Sequence, residues 1–190
     1  ASSVALSSLT VACASPAADT AAPSDALGDS DATAIASRIR NREITATEAL
    51  DAAIARAERV NPQLNFIAAP MYDAARERAQ TSLSGPFAGV PTLIKDLLPV
   101  TGWPTRYGSR AFARFVPTEQ SPYADALFAA GLVPFGKSTT PEFGLTATTE
   151  PLLGGPTHNP WDVTRSSGGS SGGAAVAVAF LDGGFPLAAL

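Results

Sequence analysis

An α/β fold, with strands buried between helices, is the architecture this sequence predicts. Three observations point to it. Two short, continuous apolar runs, at 90–94 and 132–136, have the length and composition of strands inside a sheet. Around them lie helix start and stop signals: a Thr45-Ala-Thr-Glu48 capping box, and a Ser121-Pro122 opening closed by Gly131. A small-residue apolar run, Gly172–Val178, follows a glycine–serine turn and reads as a helix packed closely on a neighbour. At 190 residues and 45% hydrophobic composition, the chain is long enough to bury a sizeable core.

The first 30 residues stand apart from the rest. They are rich in Ala, Ser, Thr and Pro, and the first basic residue of the chain is Arg38. Val4–Pro16 resembles the tail of a secretory signal, with Ala12-Cys13-Ala14 as a small-x-small cleavage site. Cys13 is alternatively a lipoprotein cysteine; both readings place the protein in the periplasm or outside the cell. A disordered Ala/Ser-rich tail is the competing reading. Residues 1–30 are therefore expected to be a leader and solvated linker, and 31–190 part of one domain. A first helix is expected over 31–41. The capping box opens a second that runs to Val60, where Asn61-Pro62 ends it. Leu64–Ala69 reads as a short strand, and Met71–Ser82 as a helix with arginines on its outer face. The 90–94 strand then enters Lys95. The following segment, with Trp103, Tyr107 and Gly108, has no periodicity and reads as an irregular approach to a site. The helix opened by Ser121-Pro122 and the 132–136 strand come next.

Lys95 is one of only two lysines, with Lys137, against eleven arginines. A lysine at the end of a buried strand can lose its proton, which an arginine cannot. It can also simply reach solvent, since buried charges are avoided or paired. The second chemical signal is Arg165-Ser-Ser-Gly-Gly-Ser170-Ser171-Gly-Gly. Two glycine pairs bracket two serines on a tight turn before a helix. Such a turn can cradle a phosphate, orient an acyl group, or only link two elements.

Together, Gly89-Val-Pro-Thr-Leu-Ile-Lys95-Asp96 and the glycine–serine turn resemble the amidase signature family of Ser–Ser–Lys hydrolases. Gly131-Leu-Val-Pro-Phe-Gly-Lys137-Ser-Thr-Thr-Pro-Glu142-Phe-Gly144 and Gly155-Pro-Thr-His-Asn-Pro-Trp161-Asp resemble two further family segments, in the same order. The likeness runs from about Ile35 to the last residue. It implies a partial amidase-signature fold, a mixed β-sheet flanked by helices on both sides. It also assigns Lys95 as the catalytic lysine and Ser170 as the bridging serine, preceded by a cis peptide bond from Gly169. Gly168, Gly169, Ser171 and Gly172 form the supporting loop. The family's nucleophile follows the bridging serine at a distance that falls past Leu190, so the chain is expected to stop short of it and to be inactive alone. Asp182–Leu190 resembles the loop and strand leading there.

As a base, Lys95 must begin neutral, so burial has to hold its pKa well below the ordinary lysine value. Asp96 would oppose that if the two groups met, but successive strand side chains point to opposite faces. Lys137 reads as structural. Thr140 and Thr146 either line the acyl pocket or make ordinary turn contacts. Tyr107, Trp103 and Phe143 suggest an apolar pocket. His158 is the only histidine, which excludes a Ser–His–Asp triad or a histidine metal cluster within this stretch; it is expected to contact backbone near Trp161. No metal and no cofactor are expected. A net charge of −4 provides no basic patch, so nucleic-acid binding is not expected. One cysteine means no internal disulfide.

Three functions follow. The first is a secreted or periplasmic amidase acting on a small amide substrate. The second is the glutamine-hydrolysing A subunit of a tRNA-dependent amidotransferase, which the export-like start argues against. The third is a phosphate-binding module without chemistry; it lacks a lysine after the glycines and leaves Lys95 unexplained.

Overall fold

The capping residues place the first two helices. In the computed structural model, which describes residues 25–179, α1 spans Ala32–Arg40 and α2 spans Ala46–Leu64. The signal-like segment with Cys13, and the Asp182–Leu190 stretch, lie outside the described residues. The Asp31 carboxylate accepts from the Ala34 N–H at 2.7 Å and starts α1. Thr45 and Glu48 make the full capping box at the start of α2. Ala49, Leu50, Ala53, Ile54, Ala57, Val60 and Leu64 are buried at helical spacing, so one face of α2 forms the main core.

α2 does not end at Asn61-Pro62; it continues through the proline to Leu64. A proline in the last turn removes only one backbone donor. Asn65, in the left-handed region at φ 51°, ends the helix instead. The Asn61 carboxamide oxygen accepts from Phe66 N–H at 2.9 Å and Ile67 N–H at 3.0 Å, turning the chain into the sheet. Strand β1 is accordingly shifted, to Ile67–Pro70.

α3 spans Tyr72–Ala79, β2 Pro91–Lys95, α4 Pro122–Ala129, β3 Val133–Ser138 and α5 Gly172–Ala179. The sheet order is β1-β3-β2, with β2 parallel and β1 antiparallel to the central β3. The sheet is therefore mixed. Leu93 belongs to the large core with α2 and α5, and its neighbour Ile94 to a small core with Val100, Ala124 and Trp103. That alternation puts helices on both faces.

Two surface expectations fail for a shared reason: buried polar groups need partners. Residues 25–30 are not a solvated linker. Leu27 is fully buried, and Arg56, itself buried, donates to the Asp25 carboxylate and to the Gly28 carbonyl at 2.7 Å. Arg78 is not on an outer face of α3. It donates to the carbonyls of Phe128 and Leu132, each at 2.8 Å, and lies over the Phe128 ring, so it closes the end of α4.

α5 is held close by its glycines. A β-carbon at Gly173 would lie 2.4 Å from the Thr139 backbone nitrogen and 2.7 Å from the Phe66 carbonyl oxygen. Backbone atoms of two sheet strands' ends cannot yield there. Gly173→Ala is expected to destabilise the protein by about 2 kcal/mol or more, read as a lowered midpoint in thermal denaturation.

Candidate active site

β2 carries Lys95 to the end of the sheet, in register with Ser138 of β3. The glycine–serine turn descends onto it from the start of α5. The turn is pinned at several points. Thr149 Oγ1 donates to the Gly168 carbonyl at 2.7 Å, and Thr140 Oγ1 to the Ser170 carbonyl at 3.2 Å. A β-carbon at Gly169 would lie 2.8 Å from the Thr148 carbonyl oxygen, and one at Gly172 would lie 2.3 Å from Thr149 Oγ1. Only glycine fits at those two points. The Gly169–Ser170 peptide bond is cis.

Lys95 Nζ lies 2.8 Å from Ser170 Oγ and 2.9 Å from Ser171 Oγ. The Ser171 carbonyl accepts the first helical bond of α5, from Ala175 N–H at 2.9 Å, so Ser171 is its N-cap. Its hydroxyl faces the lysine rather than the free N–H groups of the helix. Burial pushes the Lys95 pKa below the ordinary lysine value. The positive end of α5 acts in the same direction. A neutral Lys95 amine can donate to Ser171 and accept from the Ser170 hydroxyl at once.

Asp96 turns away from Lys95. Its carboxylate is 1% exposed and accepts from Arg106 N–H at 3.0 Å. Burial raises its pKa to about 6, against the hydrogen bonds from Arg106 and Gly108 and the nearby charges of Lys137 and Arg106. Lys137 is 0% exposed and donates to the Leu98 carbonyl. Burial lowers its pKa to about 8, with Asp96 pulling the other way. The deeply buried lysine is therefore Lys137, whereas Lys95 is partly buried. A cleft of about 150 Å³ is lined by Asp96, Arg106, Gly108, Thr139, Thr140 and Gly155. It opens on the Asp96 side of the strand end. Lys95 and Ser170 are not among its walls, and Thr140 links it to them through the Ser170 carbonyl.

Thr140 is buried in that position, but Thr146 is exposed and its hydroxyl donates to the Thr148 carbonyl at 3.0 Å within its own turn. Trp103 leaves the expected apolar pocket altogether. It meets Phe128 edge-on at 6.4 Å in the small core, because α4 offers it an apolar face there. Tyr107 and Phe143 do come together, stacked at 6.4 Å. Phe112 and Phe115 join them, and the aromatic density of 107–115 is the signal that marks them in the sequence. His158 Nδ1 lies 2.8 Å from the Val163 carbonyl oxygen, two residues from Trp161. Among the described residues, no group of three or more His, Cys, Asp or Glu side chains could hold a metal ion.

The profile of the Amidase family matches residues 48–188. The chain belongs to the amidase family. It is 45% identical over 157 residues to 6-aminohexanoate-cyclic-dimer hydrolase of Paenarthrobacter ureafaciens, covering 78% of this chain and 31% of that protein. It is 41% identical over 150 residues to the A subunit of glutamyl-tRNA(Gln) amidotransferase of Deinococcus radiodurans, covering 76% and 31%. Among solved structures, 6-aminohexanoate cyclic dimer hydrolase complexed with substrate superposes with a TM-score of 0.73 at 40% identity, over 78% of this chain and 32% of that one. A bacterial aryl acylamidase of the amidase signature family gives 0.75 at 33% identity, over 80% and 34%. The chain thus spans about a third of the length of the amidase relatives it matches. Its fold is the matching part of the amidase-signature fold.

Proposed function

We propose that the parent polypeptide hydrolyses the C–N bond of a small amide through a Ser–Ser–Lys relay. Lys95 is the base, Ser170 the bridge, and the nucleophilic serine comes from sequence that follows Leu190. The observation that supports this is the 2.8 Å contact between a lysine with a lowered pKa and a hydroxyl on a rigidly held turn. Neutral Lys95 accepts the Ser170 proton while Ser170 accepts that of the nucleophile. The nucleophile then adds to the amide carbonyl, and the relay runs backward to protonate the leaving nitrogen. Water cleaves the acyl-enzyme in a second pass. Residues 1–190 alone hold the base and the bridge only, and so are inactive. The signal-like start supports export of the parent.

A fluorophosphonate probe tests the assignment. It labels the parent at a serine beyond residue 190 and leaves the 190-residue chain unlabelled. Labelling at Ser171 overturns the assignment of the nucleophile. The identity to the Deinococcus radiodurans protein supports a second reading, glutamine hydrolysis inside an amidotransferase. Glutaminase activity that appears only with partner proteins of such a complex, in a protein kept in the cytoplasm, decides for it. A phosphate-binding loop is the weakest reading, since the Ser170 and Ser171 hydroxyls are both taken up by Lys95.

A further inference from the structure

The bridging hydroxyl sits on a turn that does not fix its own geometry. Glycine pairs flank Ser170 and Ser171, and glycine leaves the backbone more freedom than any other residue. Yet Ser170 Oγ lies 2.8 Å from Lys95 Nζ, and a shift of about 1 Å at a reacting group costs up to about a hundredfold in rate. Groups outside the turn therefore set where Ser170 stands.

The end of β3 supplies them, and it holds both partners. Lys95 is in register with Ser138, and the Asp96 N–H donates to the Ser138 carbonyl at 3.0 Å. The Thr139 carbonyl accepts from Gly173 N–H at 3.3 Å and anchors the start of α5. Thr140 Oγ1 donates to the Ser170 carbonyl at 3.2 Å. Consecutive residues thus fix the base on one side and the bridge on the other, and Thr140 is the link that reaches Ser170 itself.

Thr140 is built into a fixed place. It is 1% exposed, and a β-carbon at Gly108 would lie 2.6 Å from its carbonyl oxygen, so the neighbouring loop abuts its backbone. Its neighbour Thr139 bonds elsewhere. Thr139 Oγ1 lies 2.6 Å from Thr157 Oγ1, and Thr157 gives its own proton to the Asn65 carbonyl at 2.8 Å, so Thr139 is the donor. One threonine hydroxyl ties the strand end into the core and the next ties it to the serine turn. A buried hydroxyl costs free energy unless bonded, and that of Thr140 directs its proton to the Ser170 carbonyl. Each of these contacts lies within residues 25–179.

We propose that Thr140 is a positioning residue for the relay: its hydroxyl holds the Ser170 backbone where the Ser170 side chain meets Lys95. The inference rests on the amidase reading above and adds a residue that acts through Ser170 rather than on the substrate.

The test uses the parent protein and the rate at which a fluorophosphonate labels its nucleophilic serine, a rate that reads activation of the serine without a choice of amide. Thr140→Val keeps the branched shape and removes the donor. It should lower the limiting labelling rate by at least about tenfold, with the half-saturating probe concentration within about twofold of wild type. Thr140→Ser restores the donor and should label within about threefold of wild type. Thr140→Ala removes the donor without added bulk and takes the place of the valine variant if that protein does not fold. Ser170→Ala supplies the readout that a merely structural role would not satisfy. A residue acting only through Ser170 adds nothing there, so Thr140→Val/Ser170→Ala should label within about twofold of Ser170→Ala alone. General loosening of the fold would slow both backgrounds alike. Donor-free variants that label within about twofold of wild type overturn the inference, as does a tenfold loss that persists on top of Ser170→Ala or that Thr140→Ser fails to reverse. Those outcomes leave the amidase reading intact. A wild-type parent that is labelled at no serine beyond residue 190 overturns both.

Discussion

Lys95→Ala in the parent protein is expected to lower kcat/KM for amide hydrolysis by at least about a hundredfold, and Ser170→Ala by a similar factor. Each removes one end of a single proton path, the 2.8 Å contact from Nζ to Oγ. The double variant should therefore lose little more than either single one. Lys95→Arg separates base from charge. It keeps the cation but cannot deprotonate, so it should be as inactive as the alanine variant. The pH profile carries the same argument. Burial places the Lys95 pKa below the ordinary lysine value, so the neutral, competent form appears at lower pH than a free lysine would allow. Activity should rise with pH through that pKa and fall below it. Ser171→Ala removes only the second hydroxyl around the amine, at 2.9 Å, and should cost less than Ser170→Ala. Full activity in Lys95→Ala or Lys95→Arg, measured as ammonia release across pH, removes the relay.

Local chemistry made much of the fold legible. Capping residues Thr45, Glu48 and Ser121 start helices because each satisfies N–H groups that the helix itself leaves free. Runs around Leu93 and Phe135 are strands because both faces are covered by helices. Lys95 stood out by its residue type, but its partner did not. Seventy-five residues separate it from Ser170, and no periodicity joins them. Only the resemblance to the amidase signature linked the two. What stayed hidden depended on tertiary partners. The Asn61 carboxamide and a left-handed Asn65 let α2 pass Pro62. The carbonyls at the end of α4 pulled Arg78 inward, and the α4 face drew in Trp103. Scarcity of lysine marked both lysines equally, and the sheet alone decided that Lys137 is the fully buried one.

That burial leads to the largest stability effect expected in the molecule. Asp96→Ala should destabilise the protein by about 3 kcal/mol or more. It strands the Arg106 and Gly108 N–H groups that the carboxylate accepts, and it leaves the buried Lys137 ammonium without its nearest counter-charge. The pH dependence has a definite sign. The Asp96 pKa is raised in the fold, from 3.8 to about 6. Its stabilising contribution is complete below 3.8 and is lost as pH rises through about 6. The Lys137 pKa is lowered, from 10.5 to about 8; its contribution is complete above 10.5 and is lost as pH falls through about 8. Between about 6 and 8 both groups are charged and each bears its desolvation, softened by the other. Wild type should therefore gain on Asp96→Asn as pH drops from about 6 toward 3.8, and on Lys137→Met as pH rises above about 8. The double variant Asp96→Asn/Lys137→Met should cost less than the sum of the two single variants, because neither leaves the other's charge unpaired. Denaturant midpoints measured across pH read all three quantities. Parallel curves for wild type and Asp96→Asn between pH 4 and 7 would show that Asp96 titrates in the fold as it does in water, and would overturn its raised pKa.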